Sequence, residues 1–174
     1  MSFMELARNR YSERYFDSRP VEAEKLLQIL EAGRIAPTGC NYQPQRIYVI
    51  QSEEAMQKAV QTRASLCGCP VVLLVCYDKD TVWYNPKDRC YDSYNCGEQD
   101  ASIVAASMMF EAEELGVHSL WIRGFDSQDV IDAFNLPANH VPVMMLALGY
   151  PSAISHPAHL HDKRKPLEET VQFI

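Results

Sequence analysis

Leu115-Gly116-Val117-His118-Ser119-Leu120-Trp121-Ile122-Arg123-Gly124 decides the fold, because the backbone changes character twice within it. The residues before it, Gln99 to Leu115, read as a helix. Ile103, Ala106-Ser107, Phe110 and Glu114-Leu115 recur at helical spacing, and Ala105, Met108 and Met109 widen the apolar face. Gly116 is suited to end that helix, since it adopts a left-handed conformation without steric cost. His118 to Ile122 then reads as a short strand. Arg123-Gly124-Phe125 breaks it, and Asp126 or Ser127 can cap a further helix from Gln128 to Phe134.

The same alternation extends in both directions. Pro70 to Tyr77 is a short apolar run with β-branched residues on both faces, the pattern of a strand buried on both sides, and Pro142 to Leu148 reads as a further buried strand. Ile47 to Ile50 is a further strand, and Glu53 to Leu66 a helix. Ser18-Arg19-Pro20-Val21-Glu22 has a hydroxyl, a proline and an acid in the order of a helix start. The helix it opens carries Leu26, Ile29, Leu30 and Gly33 and stops before Pro37. Residues 2 to 9, with Phe3 and Leu6, form a short amphipathic helix. Strands alternating with helices imply an α/β or α+β sandwich with helices covering a sheet. No repeat or linker divides it, so residues 1–174 are expected to form a single domain.

Bulk composition removes several classes. The 174 residues are 47% hydrophobic and 22% charged, with a net charge of −7. This acidic balance argues against general nucleic-acid binding, which needs a broad basic face. The longest apolar run, Val71 to Tyr77, is far too short to cross a bilayer. The N-terminus has no export-signal pattern, so a reducing cytoplasm is the expected location for the six cysteines. Cys67-Gly68-Cys69 is C-x-C, not the C-x-x-C of a zinc ribbon, and Cys76 reads as core. His156, His159 and His161 read as surface histidines, so no metal site is expected. There is also no G-x-S-x-G, H-E-x-x-H, P-loop or G-x-G-x-x-G.

Chemistry concentrates elsewhere. Arg8, Arg10, Ser12 and Arg14 alternate, so in extended chain they could face one way and offer guanidinium forks and a hydroxyl to a phosphate. A solvated basic segment is the alternative. The tail Lys163-Arg164-Lys165 is a second cationic cluster. Pro37-Thr38-Gly39-Cys40-Asn41-Tyr42-Gln43-Pro44 is a loop in which Gly39 would let the backbone approach a ligand and Asn41 and Gln43 offer donors and acceptors, unless it is only a turn. Asp80 to Asn95 holds no period. Its Trp83, Tyr84, Tyr91 and Tyr94 could stack on a flat ligand or pack on the body of the protein. Two cationic clusters, an amide-bearing loop and an aromatic loop suit a phosphorylated planar cofactor that brings its own chemistry.

The chain resembles the FMN-dependent nitroreductase-like flavoproteins through most of its length. Arg10-Tyr11-Ser12-Glu13-Arg14-Tyr15-Phe16 is similar to that family's R-x-S-x-R/K-x-F opening, and Pro37 to Pro44 to its P-S/T-x-x-N-x-Q-P-W loop. Leu115 to Gly124 is similar to its L-G-x-x-x-x-W-I-x-G strand. Leu148-Gly149-Tyr150-Pro151 and Arg164-Lys165-Pro166-Leu167-Glu168-Glu169 are similar to its G-Y-P and R-x-P-L-E-E ending.

The resemblance implies an α+β fold with a mixed, mainly antiparallel sheet and an intertwined homodimer with two FMN in its interface. By position, Arg10, Tyr11, Ser12 and Arg164 would surround the phosphate and ribityl chain, with Lys163 assisting and Arg14 near the phosphate or the pyrimidine edge. Pro37, Thr38, Gly39 and Asn41 would come from the other subunit. Arg123 and Gly124 would lie by flavin N5 and O4, the Gly124 N–H as donor. NADH or NADPH would reduce the flavin, and a nitro compound, quinone or enone would reoxidise it in a ping-pong cycle, with no catalytic side chain. A non-catalytic flavin carrier or redox-responsive binding protein is the alternative. The chain departs from the pattern at Gln45, where the family has an aromatic. Gln61 or Arg63 would face the ring, and Asp80 to Asn95 would supply most of the active-site cover.

Overall fold

The computed structural model describes residues 2–62, 64–90 and 94–174. A four-stranded sheet runs in the order β1-β2-β4-β3, with β1 Gln45–Ile50, β2 Val71–Asp78, β3 His118–Ile122 and β4 His140–Gly149. All three pairings of these strands are antiparallel. The one parallel contact among the described residues is an isolated bridge from Ser12 to Ser119. Helices cover both faces: α2 Ala23–Arg34 and α4 Gly97–Glu114 lie over one, and α3 Glu53–Gln61 and α5 Ser127–Phe134 over the other. Short helices α1 Phe3–Asn9 and α6 Leu167–Thr170 lie near the termini. This is the α+β arrangement that the resemblance implies, one of the two that the alternation of elements left open.

The central strands explain the layering. Every residue of β2 is buried. Val71, Leu73, Val75 and Tyr77 pack toward α2 and α4, while Val72, Leu74 and Cys76 pack toward α3 and α5. A strand with two dry faces needs helices on both sides. Burying each such Leu or Val stabilises the fold by about 1.5–3 kcal/mol before entropy is charged against it. α2 and α4 come close because Gly33 has no side chain: a Cβ there would lie 2.8 Å from Cγ of Met108. Cys69 and Cys76 belong to the core, and burial pushes both thiols up to about 12.

Several expected details change. The second helix begins at Ala23 with Glu22 as its N-cap, after the Ser18–Pro20 start signal, because residues 18–22 stay non-helical. Helix α3 ends at Gln61, where Thr62 turns back with its hydroxyl on the Ala59 carbonyl at 2.7 Å. Helix α4 starts two residues before the expected Gln99, and its buried stripe keeps Ala105 and Met108 of the expected apolar face but shifts away from the rest. Ala101, Val104, Ala105, Met108 and Ala112 are buried, whereas Ile103 is exposed and Ala106, Ser107, Met109 and Phe110 are half-buried. A helix apolar on several sides does not declare its buried stripe through periodicity. Among the described residues, no helix is long and apolar enough to cross a membrane.

Candidate functional site

The two cationic clusters meet. Arg10, Tyr11, Ser12 and Arg14 form one wall of a cavity of about 240 Å³. The other wall is Ala158, Leu160, His161 and Arg164, from the far end of the chain. Arg8 does not join them, because it lies in the last turn of α1, and the extended row starts only after Asn9. No salt bridge within the described residues ties Arg10, Arg14 or Arg164 to an acid. The guanidinium groups of Arg14 and Arg164 are instead oriented by backbone carbonyls. Arg14 donates from Nη1 to the Ser12 carbonyl at 3.1 Å, and Arg164 from Nη1 to the Lys163 carbonyl at 2.9 Å. His161, expected as a surface residue, closes the cavity by a bond of 3.0 Å between its Nε2 and the Arg8 carbonyl. Lys163 is exposed and does not line the cavity. Three convergent arginines and a serine hydroxyl in a small concave site suit a phosphate.

Strand β3 connects this cradle to the next candidates. The Ser12–Ser119 bridge and the Glu13 N–H on the Ser119 carbonyl at 3.0 Å fix the arginine segment beside the start of β3. Arg123 and Gly124 follow its other end. About 16 Å separate Ser119 from Gly124 if the chain continues at a strand rise of about 3.3 Å per residue. Arg123 folds back over the Phe125 ring, 4.8 Å from its centroid, and donates to Ser127 Oγ at 3.3 Å. Gly124 is exposed, and a Cβ there would meet nothing within 4 Å. The fold itself does not require a glycine at this position, so the open space is available to a ligand that comes close to the backbone. The end of α3 also reaches this point, since the Asp126 N–H lies 3.4 Å from the Thr62 carbonyl. That puts Gln61 in the neighbourhood, while Arg63 lies outside the described residues.

The Pro37–Asn41 segment is elsewhere. It lies at the N-terminal end of α4, where the Gly39 N–H donates to Asp100 Oδ1 at 2.9 Å. Asp100 is buried, and its other oxygen has no partner among the described residues; burial pushes its carboxyl up, with the Gly39 bond acting against that. The left-handed residues of this loop are Cys40, Asn41 and Gln43, with φ of 47°, 60° and 51°, and not Gly39. Gly39 matters for space: a Cβ would sit 3.3 Å from Cys96 and Trp83. Three non-glycine residues at positive φ are costly and persist only where surroundings over-determine them. Here Thr38 Oγ1 accepts the Gln43 N–H at 3.0 Å and Asp100 holds Gly39. The aromatic segment also folds here. Trp83 accepts the Cys96 N–H at 3.1 Å through its carbonyl, and Tyr84 bridges to Asn95, whereas Tyr91 lies outside the described residues.

Along α4, Asp100 and Glu113 are about 20 Å apart at about 1.5 Å per residue. Glu113 is the residue that senses the charge of Arg10, so the loop and the cradle belong to opposite ends of this helix. Around the helix, Ser102 and Glu98 line a depression with Arg123, and Ser102 is rotated about 200° from Asp100 at about 100° per residue. The Pro37–Asn41 loop and Arg123 therefore lie on opposite flanks of α4. A larger groove of about 460 Å³ runs beside α2, lined by Leu27, Ala32, Ile35 and the acids Glu24, Glu31 and Glu111. It is apolar with an acidic rim, which suits a protein surface better than a phosphate.

Comparison with known proteins bears on the family and the fold. The model of the Nitroreductase family matches residues 7–65 and 60–150. A crystal structure of a nitroreductase family protein from Clostridium difficile 630 shares 42% sequence identity, covering 99% of this chain and 98% of that one, with a TM-score of 0.90. The FMN reductase [NAD(P)H] of Bacillus subtilis strain 168 is 28% identical over 156 residues, 81% of this chain and 62% of that protein. A structure from Exiguobacterium sibiricum 255-15, assigned as a nitroreductase in complex with FMN, is 23% identical over 100% of this chain and 98% of that one, with a TM-score of 0.80. That last likeness speaks for the fold.

Proposed function

The chain belongs to the nitroreductase family, and on that premise we propose that it is an FMN-dependent NAD(P)H oxidoreductase reducing nitro compounds, quinones or related acceptors. The observation that carries this reading is the cavity uniting Arg10, Ser12 and Arg14 with Arg164, one strand length from the open backbone of Gly124. Relatives named as NAD(P)H nitroreductases and as an FMN reductase support it. Bound FMN supplies hydride acceptance at N5 and its later donation to the acceptor.

The residues present fit that cofactor. Arg10, Ser12, Arg14 and Arg164 would hold the phosphate, with Tyr11 beside it and Lys163 adding only distant charge. Gly124 would offer its backbone N–H to the flavin ring, a donor that would stabilise developing negative charge without titrating. Arg123 borders the same edge. No side chain needs to act as a base.

A second copy completes the site in this reading. Pro37, Thr38, Gly39 and Asn41 lie on the flank of α4 opposite the same chain's Arg123, and in this reading they serve the partner's flavin. The exposed Leu27, Ile35, Ile103 and Trp121 supply apolar area for that contact. Residues 1–174 thus act as one FMN-binding domain within a homodimer, and a cytoplasmic location suits its use of NAD(P)H.

Anaerobic mixing of the FMN-loaded protein with NADH or NADPH tests the proposal. The flavin absorbance should bleach with at least one of them and return on adding a quinone. A flavin that bleaches with neither would turn the reading toward a non-catalytic flavin carrier.

A further inference from the structure

A buried carboxylate lies beneath the cradle. Glu13 sits between Ser12 and Arg14, two residues of the cradle wall, yet it is fully buried. An ionised carboxylate is costly to bury unless its lone pairs are satisfied. Those of Glu13 are. Its Oε1 accepts the N–H groups of Arg14 at 2.9 Å and Tyr15 at 2.7 Å. Its Oε2 accepts the Ser155 hydroxyl at 2.5 Å and His118 Nδ1 at 3.2 Å. None of these donors is a cradle guanidinium, so Glu13 does not neutralise the arginines it lies among.

The directions of these bonds follow from the atoms. An ionised carboxylate only accepts, so His118 carries its proton on Nδ1 and Ser155 gives its single hydroxyl proton to Glu13. Ser155 Oγ then accepts from the Tyr11 hydroxyl, 2.8 Å away. Burial pushes the Glu13 carboxyl up, but the bonds from Ser155 and the Tyr15 N–H, the neighbouring Tyr11 hydroxyl and the charge of His118 outweigh it and hold the group below its ordinary range. Glu13 therefore stays ionised as an acceptor. Through it the backbone of the arginine wall, the first residue of β3 and Ser155, three residues before the opposite wall begins at Ala158, are joined in one network.

We propose that Glu13 is a positioning residue that sets the separation of the two cradle walls, and with it the affinity for the phosphate, by clamping Ser155 and His118 to the Ser12–Arg14 backbone. The proposal rests on the cradle being the FMN phosphate site. Glutamine at this position keeps the shape and can still accept the two backbone N–H groups, but its amide nitrogen faces Ser155 and His118 as a donor, where the network needs an acceptor. A loosened cradle loses grip on the phosphate without touching the ring site.

Titration of the apoprotein with FMN and with riboflavin, which lacks the phosphate, separates positioning from general loss of structure. For E13Q the FMN dissociation constant should rise about tenfold or more while that of riboflavin stays within about twofold. S155A should act in the same direction by about threefold. If E13Q does not fold, S155A decides by the same ratio. R164A identifies which premise fails. If R164A loses FMN affinity while E13Q and S155A keep it, the cradle stands and the role of Glu13 is overturned. If R164A also keeps it, the cradle reading fails and the proposal with it. Equal losses of FMN and riboflavin affinity in E13Q and S155A would likewise overturn it.

Discussion

The two ends of α4 carry two unlike regions. At its C-terminal end, the cradle is built within one chain from residues more than a hundred positions apart, and its backbone is anchored on the buried Glu13. At its N-terminal end, the Pro37–Asn41 loop is local in sequence, left-handed at three residues and tethered by Asp100. One is a nearly complete anion site. The other is a preorganised strip of backbone on the flank of α4 opposite Arg123. The difference teaches that long-range packing can assemble a site from residues far apart in sequence, whereas a local loop held in strain needs its own tether, and in the dimer proposed above that loop would serve the partner's flavin.

The comparison breaks most severely if the cradle is not the phosphate site. Replacing both Arg10 and Arg164 by alanine removes charge-assisted bonds worth about 1.5–3 kcal/mol each. FMN affinity should fall on the order of 10²–10⁴-fold, read by quenching of flavin fluorescence, and an unchanged titration would contradict the assignment. The next effect concerns the apolar flank of α2. Leu27 is 66% exposed in the single chain, so L27E should leave an isolated chain folded. If that flank is covered by the partner, L27E yields monomers in sedimentation velocity at concentrations where the wild type is dimeric.

Smaller effects sharpen each region separately. Cys40 adopts φ 47°, a conformation costing a non-glycine residue about 1–2 kcal/mol. Glycine recovers part of this but loses more entropy on folding, so C40G should raise the urea midpoint by the equivalent of about 0.5–1 kcal/mol. A narrower effect is confined to acid. Glu13 has its folded pKa depressed, so its contribution is fully present above the unfolded glutamate value of about 4.3 and is lost as pH falls through the lower folded value. Wild type should therefore lose stability below about pH 4.3 more steeply than E13Q. Parallel curves for the two would show that Glu13 is not held ionised. The least effect belongs to Lys163, which lies outside the cavity. K163A should change FMN affinity by less than about 0.5 kcal/mol.

These regions also mark how far the sequence is legible. The strands could be read because Val71 to Tyr77 and Pro142 to Leu148 are apolar throughout, and a doubly buried strand needs nothing else to be recognised. The inward face of α4 could not be read, because Ile103 and Val104 are equally apolar and only packing against α2 and the sheet separates them. Arg10, Ser12 and Arg14 could be picked out by alternation, but their meeting with Arg164 depends on tertiary structure. Glu13 and Ser155 carry no local signal at all, since a glutamate among arginines looks like a surface ion pair. Gly39 drew attention as the flexible residue of its loop, whereas the left-handed positions fell on Cys40, Asn41 and Gln43, where a loop held by Asp100 overrides residue preference.

Subunit complementation tests most directly whether the two ends of α4 serve one flavin across two chains. A chain carrying R10A/R164A is paired with a chain carrying T38A/N41A, and the purified heterodimer is titrated with FMN. One of its two sites then has both defects and the other has none. The account predicts that each homodimer binds FMN poorly while the heterodimer recovers one FMN per dimer at wild-type affinity. A heterodimer that recovers none would contradict it, because each site would then draw its cradle and its loop from the same chain.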